Sequence, residues 1–196
     1  VSTDYVFDGT AETPYAPQTD RSPRSVYGAS KAAGELAVLE SGAQAWIVRT
    51  AWVYSAHGSN FVKTMARLAR SGAQPRVVDD QVGTPTWTAD LAAGLLELAE
   101  AIGAGTQPEQ RILHCVGGGQ CSWFTLARAV FAELGADPLL VSPCSTQEFP
   151  RPAPRPHYSV LDMADWLAAG LAATRDWRVA LTAAFARDGE SLRGSR

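Results

Sequence analysis

The chain has 196 residues and a formal net charge of -3; 46% of its residues are hydrophobic and 19% are charged. Such a chain can bury a core, and its charge gives no electrostatic reason to expect nucleic acid or an anionic membrane as a partner. Its three cysteines lack C-x-x-C spacing, which argues against a disulfide framework or zinc site and favours a reducing, cytoplasmic compartment. No apolar run is long enough to cross a bilayer.

The first residues predict the end of a buried strand. Residues 1–7 have the pattern of a strand end that runs into a loop, residues 8–24 have the Pro, Thr, Asp and Gly of a loop, and residues 25–41 follow a helical pattern. A buried parallel strand needs a neighbour on each side. We therefore expect the chain to be a fragment of something longer.

Strands and helices alternate through the rest of the chain. Further strands are predicted at residues 45–54, 77–78 and 111–116, and further helices at 61–70, 88–102, 122–134, 162–167 and 174–186. The Pro-rich residues 138–156 predict a loop. This alternation is typical of an α/β fold with a parallel sheet.

Tyr27 and Lys31 are the first candidate catalytic pair. Four residues apart on a helix, they share one face. An ammonium beside a phenol favours the phenolate, so the phenol can pass a proton to a carbonyl oxygen during hydride attack on the carbon. The Y-x-x-x-K pattern is common by chance, and taken alone it fits an exposed helical pair better.

Thr3 strengthens this interpretation because it stands 24 residues earlier, at the end of the first predicted strand. Ligands of doubly wound folds bind at the carboxyl ends of the strands. A hydroxyl there can hydrogen-bond the carbonyl that Tyr27 protonates, although a capping role is the simpler alternative. The two motifs together predict a proton-delivery set of Thr3, Tyr27 and Lys31.

Five ordered motifs carry a family resemblance. They are S-T-D-Y-V-F-D-G at residues 2–9, Y-G-A-S-K at 27–31, R-T-A-W-V-Y at 49–54, N-F-V-K-T-M at 60–65 and D-Q-V-G-T-P-T at 80–86. The first two resemble the extended short-chain dehydrogenase/reductases. The other three are similar to segments of the dTDP-4-dehydrorhamnose reductases, and the likeness extends over residues 1–167.

The resemblance implies a fold and a division of the chain. It implies a Rossmann-like parallel sheet without its N-terminal nucleotide-binding strands, plus a small C-terminal substrate-binding region. Residues 1–75 would carry the catalytic motif, and residues 76–187 would bind substrate among the last sheet elements. The polar composition of residues 188–196 predicts a frayed tail.

The resemblance also implies roles for individual residues. Tyr27 would donate the proton, Lys31 would assist it, and both would contact NADPH or NADH. The residues implied to bind the dTDP-sugar are Thr3, Asp4, Tyr5, Trp52 and Arg155. From the residues alone, Trp52 fits a core position better, Tyr5 fits a packed strand end equally well, and Arg155 fits a solvated loop.

The implied reaction is NAD(P)H-dependent reduction of dTDP-4-dehydro-β-L-rhamnose to dTDP-β-L-rhamnose, with a homodimer and Mg²⁺ as further features that the family allows. No G-x-x-G-x-x-G turn for a cofactor pyrophosphate occurs in the sequence. Two alternatives stay open. One is a non-catalytic relative that resembles the regulatory β subunit of methionine adenosyltransferase, and the other is a sugar-nucleotide epimerase or dehydratase.

Two further features have simpler interpretations. His114 lies in an apolar strand and is expected to be a satisfied core residue rather than a metal ligand. Residues 117–119 are three consecutive glycines without a P-loop pattern, so they predict a flexible turn.

Overall fold

A computed structural model describes residues 1–150 and 152–193. The strands of this part are β1 (Ser2–Thr3), β2 (Ile47–Thr50), β3 (Val53–Tyr54), β4 (Arg76–Val78), β5 (Val82–Gly83), β6 (Thr86–Trp87), β7 (Ile112–His114), β8 (Cys121–Ser122) and β9 (Ser142–Cys144). The α-helices are α1 (Val26–Glu40), α2 (Phe61–Arg70), α3 (Thr88–Gly103), α4 (Trp123–Glu133), α5 (Ala164–Ala168) and α6 (Trp177–Arg193).

A three-stranded parallel sheet with the order β1-β2-β7 positions the site. Ser2 pairs with Arg49 and Thr3 with Thr50, while α1 crosses from β1 to β2. The predicted α/β fold with a parallel sheet is confirmed, and the first two strands are neighbours in that sheet.

Both predicted strands end earlier than expected. The first stops after Thr3, and Asp4–Val6 turns into a 3-10 helix. The strand predicted over residues 45–54 breaks at Trp52, whose φ is 47°. A non-glycine residue in the left-handed region cannot continue a flat ladder. The chain therefore leaves the main sheet, and β3 pairs with β6 in a separate two-stranded sheet.

Three helices begin where the sequence predicts because each has a side-chain cap. Each cap residue accepts a hydrogen bond from the backbone N–H three residues further along, which satisfies one of the free donors of the first turn. The caps are Ser25 for α1, Asn60 for α2 and Ser122 for α4.

The largest apolar core lies among α2, α4 and α6 and includes Phe131, Leu181 and Leu192. Helix α6 continues through a kink at Asp188 to Arg193, and Leu192 is fully buried. The expectation of a frayed tail from Asp188 is thus wrong for residues 188–193, because Leu192 anchors this turn in the core. Residues 194–196 lie outside the described part.

The Pro-rich segment contains more regular structure than predicted. Pro138–Leu140 forms a 3-10 helix, and β9 then pairs in parallel with β4. Pro143 fits there because β9 pairs with only one strand, so its missing N–H can face outward. The loop prediction is therefore wrong for residues 138–144. Arg151, in the same segment, lies outside the described residues.

Candidate active site

A cleft of about 430 Å³ opens at the carboxyl end of β1. It is lined by Thr3, Tyr5, Tyr27, Lys31 and Trp52, together with Val1, Ser2, Thr50, Ala51 and Val53. The structure thus brings the three candidate catalytic side chains and three of the five candidate sugar contacts, Thr3 being in both sets, onto one surface. This is the edge of the sheet where doubly wound folds bind their ligands.

Helix α1 presents Tyr27 and Lys31 from its first turns. A Cβ added at Gly28 would lie 2.2 Å from the Tyr5 carbonyl oxygen, so only glycine lets α1 approach the 3-10 helix this closely. Lys31 Nζ donates to the Val1 carbonyl oxygen at 2.7 Å. An ammonium has three protons, so two remain for groups in the cleft. The Tyr27 ring is 55% exposed and meets the Tyr5 ring edge-on.

Thr3 and Asp4 form a buried pair under the cleft. The Thr3 hydroxyl donates to Asp4 Oδ1 at 2.9 Å and accepts from the Tyr5 N–H at 3.3 Å. Asp4 is only 4% exposed and is not among the residues that line the cleft. Burial raises the pKa of Asp4 to about 6, although the hydroxyls of Thr3 and Ser159 favour the carboxylate. The structure therefore does not place Asp4 where a sugar would touch it.

Trp52 forms part of the cleft wall and is half-buried. Its indole stacks on Trp123 with ring centroids 3.5 Å apart and planes 7° from parallel. A Cβ added at Gly83 would come within 2.4 Å of the same indole. The φ of Gly83 is not positive, so its backbone does not require glycine. Glycine is needed at this position because a side chain would collide with the indole.

Hydrogen bonds connect the D-Q-V-G-T-P-T loop at residues 80–86 to the three glycines at 117–119. The Thr84 hydroxyl donates to the Gly119 carbonyl, and the Gly117 N–H donates to Thr86 Oγ1. A Cβ at Gly117 would lie 2.3 Å from the Pro85 oxygen. Residues 117–119, predicted to be a flexible turn, therefore pack closely against another segment of backbone. This close packing leaves no room for a Cβ at Gly117.

Arg155 lies next to this cleft rather than in it. It lines a smaller adjoining cleft with Tyr5, Asp8 and Arg24. Burial and the charge of Asp4 raise the pKa of Tyr5, while the charge of Arg155 opposes them, so Arg155 and Tyr5 are electrostatic neighbours. Tyr5 connects the two clefts because it lines both.

A buried ion cluster under the cleft was not predicted from the sequence. Arg49 of β2 donates to both carboxylate oxygens of Glu35 at 2.8 and 2.6 Å, and Arg21 donates to the same carboxylate at 2.6 Å. Burial raises the pKa of Glu35, but hydrogen bonds from Arg49, Ser2 and Arg21 outweigh it and hold that pKa at about 2.

Two signals in the sequence point to this cluster. Arg49 interrupts an apolar strand, and a buried cation needs a carboxylate partner. Glu35 lies one turn beyond Lys31 on the face that Tyr27 and Lys31 share, so it faces the sheet below them. The cluster joins the helix that carries Tyr27 to the strand that leads to Trp52.

The residues present fit one end of a nicotinamide cofactor. Tyr27 and Lys31 place a hydroxyl and two free ammonium protons on the cleft, which suits ribose hydroxyls. The 196 residues contain no glycine-rich pyrophosphate turn. Among the described residues there is no group of three or more His, Cys, Asp or Glu side chains arranged to hold a metal ion. Within the same residues, no helix combines the length and apolarity needed to cross a membrane.

Comparison with known proteins gives consistent relatives. Residues 1–189 match the family model described as RmlD substrate binding domain. Over 196 residues the chain is 50% identical to dTDP-4-dehydrorhamnose reductase of Mycobacterium tuberculosis (strain CDC 1551 / Oshkosh), covering 97% of this chain and 63% of the relative. It is 46% identical to a probable dTDP-4,6-dihydroxy-2-methyloxan-3-one 4-ketoreductase of Streptomyces antibioticus, with 94% and 61% covered.

A solved structure agrees with these relatives. The crystal structure of dTDP-4-dehydrorhamnose reductase from Bacillus anthracis in complex with NADP superposes with a TM-score of 0.88 at 37% identity, covering 94% of this chain and 63% of that one. The chain therefore spans about 63% of the length of such relatives.

Proposed function

Since the chain belongs to the RmlD substrate-binding domain family, we propose that its cleft reduces the 4-keto group of a dTDP-linked sugar. The proposed substrate is dTDP-4-dehydro-β-L-rhamnose and the proposed product is dTDP-β-L-rhamnose. The observation that carries the proposal is the single cleft shared by Thr3, Tyr27, Lys31 and Trp52. The relatives named for 4-keto sugar reduction support the substrate class.

In this proposal Tyr27 supplies the proton. A bound NADPH or NADH supplies the hydride that the reaction needs. As negative charge develops on the C4 oxygen, the exposed Tyr27 phenol donates its proton to that oxygen. The Lys31 ammonium, held by the Val1 carbonyl, stabilises the phenolate that remains and bonds the cofactor ribose. Thr3, which lines the same cleft, hydrogen-bonds the same C4 oxygen.

The remaining predicted contacts divide between the sugar and the diphosphate. Trp52 offers an apolar wall to the sugar, and Tyr5 lies between the two clefts. Arg155 and Arg24 line the adjoining cleft, where a guanidinium fork suits phosphate oxygens. Asp4, expected to touch the sugar, would act from beneath the wall instead.

Three further features belong to the proposal. The three cysteines are free and buried, which agrees with work in the cytoplasm. A homodimer and Mg²⁺ are features of the implied family, and no step of the proposed reaction depends on either. We also propose the division into a catalytic part at residues 1–75, a substrate-binding region at 76–187 and a terminal segment at 188–196.

The test is Tyr27→Phe, which keeps the ring and its contact with Tyr5 but removes the transferable proton. General acid catalysis contributes about 10²–10⁴-fold, so kcat should fall by about that factor with little change in sugar-nucleotide affinity. Steady-state kinetics with NADPH and dTDP-4-dehydrorhamnose in the active reductase measure it. A Tyr27→Phe variant with near wild-type kcat would remove Tyr27 as the proton donor.

Binding to the chain itself separates the alternatives. Titration calorimetry with dTDP and dTDP-L-rhamnose should detect binding by the wild-type chain and weaker binding of both after Arg155→Ala. The exposed Arg67, which lines neither cleft, provides a matched control. A folded chain that binds no dTDP compound would favour a non-catalytic relative.

A further inference from the structure

Arg155, which lines the adjoining cleft, belongs to a loop whose C-terminal end is fixed by backbone contacts. Pro156 packs on Gly9, where an added Cβ would lie 2.2 Å from the Pro156 Cβ. The Val82 N–H then donates to the His157 carbonyl oxygen at 2.8 Å. The guanidinium group of Arg155 is therefore attached to backbone that is held immediately after it.

The N-terminal end of the same loop is held by Asp80, the first residue of the D-Q-V-G-T-P-T motif. The Asp80 carboxylate accepts from the Thr146 N–H at 2.8 Å and from the Thr146 hydroxyl at 2.7 Å. That hydroxyl in turn accepts from Gln81 Nε2 at 2.9 Å. Burial raises the pKa of Asp80, but the hydrogen bonds from Thr146 outweigh it and keep that pKa below its ordinary value, so the carboxylate is ionised at neutral pH.

Asp80 also contacts the C-terminal end of the loop. Its carbonyl oxygen accepts from His157 Nδ1 at 3.1 Å, and this nitrogen carries the proton because a carbonyl oxygen can only accept. One residue thus ties residues 146 and 157 together. A loop with both ends tied loses less conformational entropy when a ligand orders it, so more of the interaction energy remains as affinity.

The charges of the adjoining cleft make the position of Arg155 important. The cleft is lined by two cations, Arg24 and Arg155, and by one carboxylate, Asp8. The Asp8 carboxylate is fixed because it accepts from the Tyr15 hydroxyl at 2.7 Å and from the Thr10 hydroxyl at 2.8 Å. A diphosphate in this cleft needs both guanidinium groups close to its oxygens, since a displaced cation would leave it beside an opposing negative charge.

We propose that Asp80 is a positioning residue for Arg155: by tying residues 146 and 157 together it holds the Arg155 loop (residues 146–150 and 152–157) so that the guanidinium group meets the diphosphate of the sugar nucleotide. The inference rests on the proposed function, since it concerns the diphosphate of the same ligand. Asp80 lines neither cleft, so it acts on the ligand through Arg155 and not by contact.

Removing the Asp80 carboxylate should weaken dTDP binding only where Arg155 is present. Asp80→Ala releases Thr146, and the cost of ordering the loop then reduces dTDP affinity by about two- to tenfold. In an Arg155→Ala background the same change should have almost no effect, because no guanidinium group remains to be positioned. A general loss of folding would instead lower the affinity in both backgrounds.

Three further variants test the contacts that hold the loop. Asp80→Asn keeps one acceptor oxygen for Thr146 and should lie between wild type and Asp80→Ala. Thr146→Val removes the hydroxyl and should weaken dTDP binding in the same direction, so it is the variant to use if Asp80→Ala does not fold. Asp137→Ala is the matched control, because this exposed aspartate likewise accepts from a backbone N–H, that of Leu139 at 2.9 Å, but lines neither cleft.

The experiment is titration calorimetry of the chain and these variants with dTDP, combined with amide hydrogen exchange. Asp80→Ala should weaken dTDP binding in the wild-type background alone, and Asp137→Ala should leave it unchanged. Asp80→Ala should also speed hydrogen exchange at the Thr146 amide, which loses its acceptor, while Asp137→Ala should not.

The outcomes separate the inference from the proposed function. If wild type binds dTDP and Asp80→Ala keeps that affinity, the inference is overturned and the proposed function stands. If Asp80→Ala weakens dTDP binding equally with and without the Arg155 side chain, Asp80 does not act through Arg155, and the inference is also overturned. If wild type does not bind dTDP, the proposed function fails and the inference fails with it.

Discussion

Asp4 and His114 are buried side chains whose pKa values move in opposite directions. Burial disfavours the charged form of each, so the pKa of Asp4 rises to about 6 while that of His114 falls to about 4. The Arg49 charge adds to the shift of His114. Nδ1 of the neutral ring lies 3.0 Å from the Asp162 carbonyl oxygen, while the buried Nε2 has no hydrogen-bond partner among the described residues. His114 is therefore a core residue, as its apolar strand predicts, but only one of its ring nitrogens is satisfied.

Opposite shifts give opposite dependences of stability on pH. Between pH 6 and 4 the folded chain holds a proton on Asp4 that the unfolded chain lacks, so Asp4 increases stability as the pH falls. Over the same window the unfolded chain holds a proton on His114 that the folded chain lacks, so His114 decreases stability. Each contributes a slope of up to about 1.4 kcal/mol per pH unit, and the two slopes nearly cancel.

We therefore expect single substitutions to reveal each slope. Asp4→Asn should make the protein more stable at pH 7 and should cause it to lose about 2–3 kcal/mol between pH 6.5 and 4. His114→Asn, which retains an N–H for Asp162, should lose stability as the pH rises through the same window. Urea unfolding at intervals of half a pH unit measures both. Equal pH profiles for wild type and Asp4→Asn would contradict the prediction.

At the scale of elements, the site is a β1-α1-β2 unit held together by a buried ion pair. Glu35 and Arg49 have side chains that are each 1% exposed, and they connect the crossover helix to the second strand. Arg49 also donates to the Pro17 carbonyl oxygen at 3.0 Å, so the preceding loop is fastened to the same cluster. The helix, the strand and the loop are thus positioned by the hydrogen bonds of one side chain, Arg49.

Removing one partner should cost more than an exposed change of the same kind. Glu35→Gln leaves two arginines facing a neutral amide, one of them fully buried, and we expect a loss of about 3 kcal/mol. Glu40→Gln, on the exposed last turn of the same helix, is the matched control and should change stability little. Chemical denaturation at neutral pH measures both. A Glu35→Gln loss no larger than that of the control would show that the pair is not stabilising.

At the scale of the whole molecule, the described part has an open side along β1. This strand pairs only with β2, so its other edge is free within the described residues. Two clefts flank it, and their lining includes Val1, Trp46, Val48, Leu95 and Leu98. A free edge beside apolar surface is a known site for association between chains.

We expect the isolated 196-residue chain to be marginally stable and to self-associate through this side. Sedimentation velocity across a tenfold range of concentration should show growing oligomers, and thermal unfolding should be irreversible. Val1→Lys places a charge at the edge and should reduce the association, while Leu139→Lys changes an equally exposed apolar residue elsewhere and should not. A monomer with a sharp, reversible transition would contradict this expectation.

Local chemistry explains which features were predictable. Side-chain caps at Ser25, Asn60 and Ser122 locate three helix starts because the hydrogen bond that defines each start lies within four residues. The order of Thr3, Tyr27 and Lys31 indicates the cleft because parallel strands bring their carboxyl ends to one edge. The helix caps depend on neighbouring residues, and the position of the cleft depends on the order of strands and helices. Both kinds of information are present in the sequence.

Other features depend on contacts between distant segments. The left-handed turn at Trp52 depends on Trp123 and Gly83, 71 and 31 residues further along, so an apolar run gives no warning that the strand breaks. The Glu35–Arg49 pair and the burial of Leu192 likewise arise from packing across the fold.

The sequence by itself thus determined the α/β class, three helix starts and the presence of Thr3, Tyr27 and Lys31 at one cleft. Only the tertiary structure decided that Asp4 lies beneath the wall and that the Thr3 hydroxyl is hydrogen-bonded to it. The physical reason is that burial and hydrogen-bond direction depend on which groups surround an atom in space, and those groups come from segments that are far apart along the chain.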